Sequence, residues 1–380
     1  MKKVAIVGTQ GVPAKYGGFE TLVENIIGEN GAPGIEYTVF CSAKDYETKR
    51  AGYKRARLKY ISLFHANGMQ SIPYDILSML HCVRGFDTVV VLGVSGGWFL
   101  PVFRLLYRKK LIVNIDGLEH KRAKWGRFAK WFLRTSEAMA VRAADIVISD
   151  NQCIQEYVTL TYHKDSVLVA YGGDHALRNV SETRQDEILE EMGVGRKEYA
   201  FSVCRIEPEN NCHVVLEAFA RGNHKLLFVG NWERSRYGQE LKKRYGTYTN
   251  IRMLDSIYDL DILYTLRKNS RLYIHGHSAG GTNPSLVEAM SCGCPIAAFD
   301  VAYNRATTAN HAHYFKNSPD LAMLLEKGPI DGTPMRKLAE QLYTWKHIAR
   351  QYEELYRRTR VCQRWLTHPS SFILSLAGFP

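Results

Sequence analysis

"HGHSAGGTNPSLVEAMSCGCP", residues 275–295, is the stretch on which the reading of the fold turns. Its left end is small and polar, with Gly276, Gly280 and Gly281. Asn283, Pro284 and Ser285 follow, and from Leu286 to Met290 the chain turns amphipathic. Proline is at home in the first turn of a helix, where its missing N–H is no loss, so a helix is expected over Ser285–Ser291. Apolar runs flank it, Leu272–His275 before and Pro295–Phe299 after, which makes a strand, a glycine-rich loop, a helix and a second strand. The free N–H groups at such a helix start, here of Ser285, Leu286 and Val287, form an anion site. Glu288 lies one turn in, where a carboxylate would accept two hydrogen bonds from a ribose diol.

The same alternation runs outward in both directions. Towards the N-terminus, strands are expected at Val4–Gly8, Tyr37–Cys41, Lys59–Phe64, Thr88–Leu92, Leu111–Ile115, Asp145–Ser149 and Val167–Ala170. Helical patterns separate them at Thr21–Ile27, Tyr74–Arg84, Phe128–Ala143 and Cys153–Leu160. Most of the strands are continuous apolar runs, as in sheets covered on both faces. A polar, glycine-containing segment at 171–187 reads as a linker, after which the pattern restarts. Strands are expected at Ala200–Cys204, Leu226–Val229 and Arg252–Leu254, and helices at Val214–Ala220, Gln239–Tyr245 and Asp259–Arg267. The segment 344–360 is amphipathic and helical. Two α/β domains with parallel sheets follow, with a cleft between them lined by the carboxyl ends of the strands.

Composition narrows the partner. Hydrophobic residues make up 46% of the 380, ample for a core in each domain. The opening "MKKVAIVG" reads as a first buried strand rather than a signal peptide, because its apolar run is too short. No stretch reaches the roughly 18 apolar residues of a membrane span. The eight cysteines have no zinc or CxxC spacing and read as reduced thiols. The net charge of +12 favours an anionic partner, and it is uneven: residues 104–142 hold eleven Lys and Arg against three acids. Within that region Trp125, Phe128, Trp131, Phe132 and Leu133 alternate with the cations. That make-up suits either a solvated helix or one lying at a membrane surface. No nucleic-acid-binding motif accompanies the charge.

Three further motifs point at the cleft. "GTQGVPAKYGGFET" (8–21) follows the first strand, and Gly8, Gly11, Gly17 and Gly18 would let backbone approach a ligand or simply make a tight turn. It fails as a dinucleotide fingerprint in its spacing and in the missing acid after the second strand. "VNIDGLEHKRAKW" (113–125) sets Asp116, Glu119 and His120 at a strand's carboxyl end, as a base or sugar ligand or as a turn with a helix cap. "CRIEPENNCHVVLEAF" (204–219) puts Arg205 at a strand end, where its fork would grip a diphosphate or pair with Glu207 or Glu209.

"KYGGFET", "CRIEPENN" and "HGHSAGGTNPSLVEAMSCGCPIAAFD" together resemble retaining GT-B glycosyltransferases of family 4. More narrowly, they resemble the bacterial rhamnosyltransferase-type branch that opens with "PAKYGGFET" and carries "NIDGLEHKRAKW". The likeness runs over roughly residues 1–360. It implies an α/β, GT-B architecture of two Rossmann-like, doubly wound parallel-sheet domains. Residues 1–175 would bind the acceptor and 185–345 the nucleotide sugar, with a helix and tail over 346–380 packing back on the first domain. It implies donor contacts from Arg205, Asn210, Gly230, Tyr258, His277, Asn283, Ser285, Leu286 and Glu288. Acceptor contacts would come from Tyr16, Gly17, Gly18, Asp116 and His120, and Asp116, Glu119 and Arg205 would serve catalysis. Gly280 stands where the wider family has its first glutamate, and Asn210 where it has a lysine; His275, His277 and Ser278 are candidates for the missing polar contacts. Neither metal nor cofactor is implied. The expected reaction moves a sugar, L-rhamnose from a dTDP donor, to a lipid-diphosphate-linked saccharide. It would take place at the cytoplasmic face of the membrane, reached through segment 121–134. A nucleotide-sugar 2-epimerase or a binding protein without transferase activity are the alternatives.

Overall fold

The computed structural model describes residues 1–358 except 16, 29–32, 63, 67–69, 123–124 and 329. Tyr16, two residues of segment 121–134, and the tail from 359 therefore lie outside the described residues. The first domain holds strands β1 (Lys2–Val7), β2 (Ile35–Ser42), β3 (Gly52–Tyr53), β4 (Ala56–Ile61), β5 (Thr88–Leu92), β6 (Lys110–Asn114), β7 (Ile146–Ser149) and β8 (Val167–Leu168). Its helices are α1 (Gly18–Ile26), α2 (Ser71–Leu80), α3 (Leu100–Leu106), α4 (Arg127–Ala143) and α5 (Gln152–Tyr162). After α6 (Glu182–Glu191), the second domain holds β9 (Tyr199–Val203), β10 (Lys225–Val229), β11 (Ile251–Leu254), β12 (Leu272–His275), β13 (Ile296–Phe299) and β14 (His313–Phe315). Between and after them come α7 (Cys212–Ala220), α8 (Arg236–Tyr245), α9 (Leu260–Asn269), α10 (Pro284–Ser291), α11 (Ala302–Thr307), α12 (Ser318–Leu325), α13 (Thr333–Leu342) and α14 (Trp345–Arg357).

The first sheet has the order β3-β4-β2-β1-β5-β6-β7-β8, the second β11-β10-β9-β12-β13-β14. Every pair is parallel except the short β3–β4. Alternation within buried strands explains the layers. Val4 and Ile6 face α1 and α14, while Ala5 and Val7 face the cluster containing α2, α3, α4 and α5. In the second domain Phe201 faces the cluster of α9 and α10, and Ala200 faces that of α7, α8 and α12. The inner faces of the two sheets share one continuous apolar cluster, so the domains are joined by a core rather than by a linker alone.

One expectation changes. The proposed linker 171–187 includes the start of α6, because Ser181 caps that helix by accepting from the Arg184 N–H. The structure also adds the short α3, not expected from the sequence, with Pro101 in its first turn.

Helix α14 belongs to the second half of the sequence and packs on the first domain. Its carbonyls at Leu355 and Tyr356 accept from the Lys110 ammonium, both at 2.9 Å, and the Tyr356 carbonyl also accepts from Lys2. Two lysines therefore satisfy the carbonyls that a helix C-terminus leaves open. Burial holds the Lys110 ammonium down to a pKa of about 8. Asn114 donates to the Tyr352 hydroxyl at 2.9 Å, and Tyr356 meets Tyr37 edge to face. Replacing the fully buried Tyr356 with alanine should cost about 3–5 kcal/mol through lost burial and the cavity left behind. Leu342→Ala, at a half-exposed position, should cost far less. Denaturant unfolding of both variants checks this, and equal losses would contradict the packing described.

Candidate active site

Open parallel sheets bind ligands where the strand order reverses, at the carboxyl ends of the strands. In the second domain the reversal lies between β9 and β12. The loops that leave these strands carry Arg205 and His277, and both line an interdomain cleft of about 1080 Å³. That volume accommodates a ligand larger than a typical drug-sized molecule.

The second-domain wall begins at α10. Asn283 is its N-cap residue and Pro284 its first residue. The Leu286 and Val287 N–H groups both donate to the Asn283 carbonyl, at 3.0 and 3.3 Å. Of the three N–H groups expected to face an anion, Ser285 alone keeps its own free. Arg205 is exposed to the cleft and makes no ion pair with Glu207 or Glu209. His277 lies beside it with its Nδ1 buried and unpaired, stacked on His275 at a centroid distance of 4.2 Å. Burial, then the nearby charges of Arg205 and Arg122, push the His277 pKa down to about 3, so the ring is neutral. Gly230 and Tyr258 extend this wall away from α10.

Glu288 lines the cleft, but it is already engaged. Arg267 pairs with one carboxylate oxygen and His175 with the other, at 3.2 Å. Burial alone would raise the Glu288 pKa, yet the Arg267 guanidinium and His175 hold it below the usual carboxylate range. The carboxylate is therefore charged, and a ribose diol would add to these contacts or displace His175.

The first-domain wall carries two acids. Asp116 follows β6 with φ 59° and accepts from the Tyr171 hydroxyl at 3.3 Å. Asp150 follows β7, is buried, and accepts from the Thr282 N–H of the other domain at 3.0 Å. Its Oδ1 has no partner and faces Gly281. Burial, then the charge of Asp116, raises the Asp150 pKa to about 8; Asp116 itself is raised by burial. Beside them the domains meet backbone to backbone, since a Cβ on Gly117 would stand 2.9 Å from the Gly280 Cα. Gly280 has φ +119°, a conformation that a glutamate would rarely adopt.

Other expected residues lie elsewhere. Asn210 is buried and donates to the Arg205 carbonyl at 2.7 Å, clamping the loop without lining the cleft. Leu286 is core. The His120 ring turns to Glu137 at 3.2 Å, and Ser278 binds the Glu209 carbonyl. Glu119 lines the cleft, pairs with Arg122 at 2.6 Å and accepts from the Trp125 ring N–H at 3.0 Å. In "YGGFET" the demand for glycine falls on Gly17, with φ +128° and Glu20 against its missing Cβ; Gly18 starts α1 and has ordinary space. Among the described residues no group of three or more His, Cys, Asp or Glu is gathered for a metal ion.

Sequence reasoning missed Asp150, Arg122, His175 and Arg267. Asp150 ends a strand just as Asp116 nearly does, so the same rule would have found it. His175 stood in the supposed linker, and Arg267 stood only as the last residue of an expected helix.

Asp150 provides a pH test. The folded chain holds its proton more tightly than the unfolded chain, where aspartates titrate near pH ~4. The stability this contributes is complete below about pH 4 and is lost as the pH rises through about 8. The melting temperature of Asp150→Asn, relative to wild type, should therefore rise by a few degrees between pH ~6 and ~9, since about 1 kcal/mol corresponds to a few degrees. A pH-independent difference in thermal melts would count against this.

Residues 184–327 match the family described as glycosyl transferases group 1, and residues 1–174 match a domain of unknown function, DUF1972. No curated protein matches the chain. Among solved structures, a sucrose-phosphate synthase from Thermosynechococcus elongatus is similar at a TM-score of 0.77 and 16% identity, covering 94% of this chain and 98% of its own. Anabaena Alr3699/HepE, solved in complex with UDP, is similar at 0.69 and 16%, covering 93% and 99%. A Listeria monocytogenes protein assigned provisionally as a UDP-N-acetylglucosamine 2-epimerase is similar at 0.59 and 15%, covering 93% and 94%. The chain therefore has the GT-B fold of two parallel-sheet domains, and its residues 184–327 are a glycosyl transferases group 1 domain.

Proposed function

We propose that the protein transfers a hexose, L-rhamnose from dTDP-rhamnose, to a lipid-diphosphate-linked saccharide during cell-surface polysaccharide assembly. The observation that carries the nucleotide-sugar part is the meeting of Arg205, the Ser285 N–H and the charged Glu288 in one cleft at the strand-order reversal. Relatives in fold agree with it: HepE has also been solved with UDP-glucose. On this reading Arg205 and the start of α10 stabilise the charge that builds on the departing diphosphate, and the transfer needs no metal. Configuration is retained, with the diphosphate taking the proton of the acceptor hydroxyl. Gly280 offers no carboxylate to the sugar, which suits a donor lacking one hydroxyl, such as a 6-deoxyhexose.

The acceptor assignment rests on the outer face of the first domain. Val102, Leu105 and Leu106 of α3 and Phe128 and Trp131 of α4 are all exposed, with Arg108, Arg127 and Arg134 exposed on the same two elements and the loop after α3. Trp98 stacks on Phe132 beside them. Apolar and cationic groups together suit the surface of an anionic membrane, where a lipid-linked acceptor would be found. Among the described residues no helix is long and apolar enough to cross a membrane, so the protein would attach peripherally, on the cytoplasmic side. A soluble-substrate epimerase of the same fold would have no use for this face.

Incubating the protein with a panel of nucleotide sugars and a lipid-diphosphate acceptor, followed by mass spectrometry, should show a deoxyhexose added to the lipid. Absence of any transfer, with intact nucleotide binding, would favour a binding protein. Asp116→Asn keeps the shape and removes the charge. It should lower turnover by about 10²–10⁴ if the aspartate orients or activates the acceptor, and leave dTDP affinity unchanged. Turnover at the wild-type rate would make Asp116 a turn residue.

The protein should also float with anionic liposomes at low salt and lose them at high salt. Trp131→Ser with Phe128→Ser should reduce the bound fraction. No binding at low salt would leave α3 and α4 as a solvated face.

A further inference from the structure

The donor site described above is short of positive charge for the group it would hold. A nucleoside diphosphate carries its anionic oxygens on two phosphates. The second domain meets them with Arg205 and the Ser285 N–H. Arg267 is committed to Glu288. Arg234 lines the cleft but follows β10, two strands away from β12. Asn210 is turned to the Arg205 carbonyl.

A second arginine comes from the opposite wall. Arg122 lies in the first domain, in the segment between β6 and α4, and lines the same cleft. Its side chain is largely buried and held by two carboxylates: Glu119 of its own loop at 2.6 Å, and Glu209 of the second domain at 3.5 Å. Glu209 marks the place well. Four residues beyond Arg205, its carbonyl accepts both the N–H and the hydroxyl of Ser278, at 2.9 and 2.8 Å. The loops after β9 and β12 are thereby tied together at that residue, so the Arg122 guanidinium reaches across to the strand-order reversal. The same position is felt by His277, whose proton affinity is lowered by the charges of Arg205 and Arg122 after burial.

We propose that Arg122 is the second diphosphate-binding cation of this enzyme, supplied across the cleft by the acceptor domain and parked on Glu209 until the donor arrives. The proposal rests on the nucleotide-sugar reading. The transferred sugar must lie between the two walls, so the phosphate next to it, the β-phosphate, lies nearest the first domain and is the one Arg122 meets. The short pair with Glu119 keeps the guanidinium oriented. The 3.5 Å pair with Glu209 is long for a charge-assisted bond and is the contact that a phosphate oxygen replaces. Donor binding then draws on both domains, and the departing diphosphate keeps an arginine from each wall.

Calorimetry on the full chain tests this with UDP and dTDP against UMP and dTMP, which lack the β-phosphate. Arg122→Gln should weaken binding of the preferred diphosphate about tenfold to a hundredfold, the effect of one charged hydrogen bond. Binding of the matching monophosphate should change by less than about twofold. Arg122→Lys should fall between Gln and wild type for the diphosphate. The monophosphate is also the control for folding. Equal weakening of diphosphate and monophosphate, or no weakening of either, would overturn the proposal while leaving the nucleotide site in place. Failure of wild-type protein to bind any of the four nucleotides would overturn the nucleotide-sugar reading, and this inference with it.

Discussion

Gly117 and Gly280 bring the backbones of the two domains into contact, and the cleft takes its shape from that approach. On one side of the contact Asp150 receives the Thr282 N–H, and Asn151 reaches Thr282, the Tyr303 carbonyl and Thr307 with its amide. The loop that leads into α10 is consequently held by the first domain as much as by its own. A donor bound at α10 would sit on a surface that two domains assemble. This explains why Gly280 cannot be read simply as a lost glutamate: its backbone angle of φ +119° is one that residues with a side chain rarely adopt.

A second constraint keeps that geometry in place. The inner faces of both sheets and α14 form a single apolar cluster. Trp345, at the start of α14, stands where a Cβ on Gly172 would fall, and its N–H bonds Asp174. The helix then runs back over the first sheet to Lys110 and Lys2. The chain therefore crosses between domains twice, once before α6 and once into α14, and both crossings are packed. A hinge here has to bend within a core, which favours small closing motions over wide ones.

Charge in the cleft follows from this architecture. The acids Asp116 and Asp150 and the cations Arg122, Arg205 and Arg267 come from strand ends, helices and loops far apart in sequence. Low solvent access makes the buried groups sensitive to their neighbours: Asp150 holds a proton that an exposed aspartate would lose, and His277 stays neutral beside two arginines. Cations facing a neutral acid across a gap suit a ligand that is anionic at one end and rich in hydroxyls at the other.

The amino-acid sequence by itself determined the two α/β domains, because continuous apolar runs such as Thr88–Leu92 and Leu272–His275 are legible as strands covered on both faces. It also determined that a helix starts near Pro284, that Arg205 ends a strand, and that Asp116 lies at a strand's carboxyl end, since each depends on local pattern. Only the tertiary structure decided which of these groups meet. Leu286 and Asn210 stood in promising motifs and proved to be core and loop clamp. Glu288 was expected to wait for a ribose and instead holds Arg267, which lies on a neighbouring helix. Arg122, Asp150 and His175 reach the cleft through crossings between domains. Local periodicity reports which face of an element is apolar, but the partner of a charged side chain depends on contacts between residues tens to hundreds of positions apart, and no local pattern encodes those.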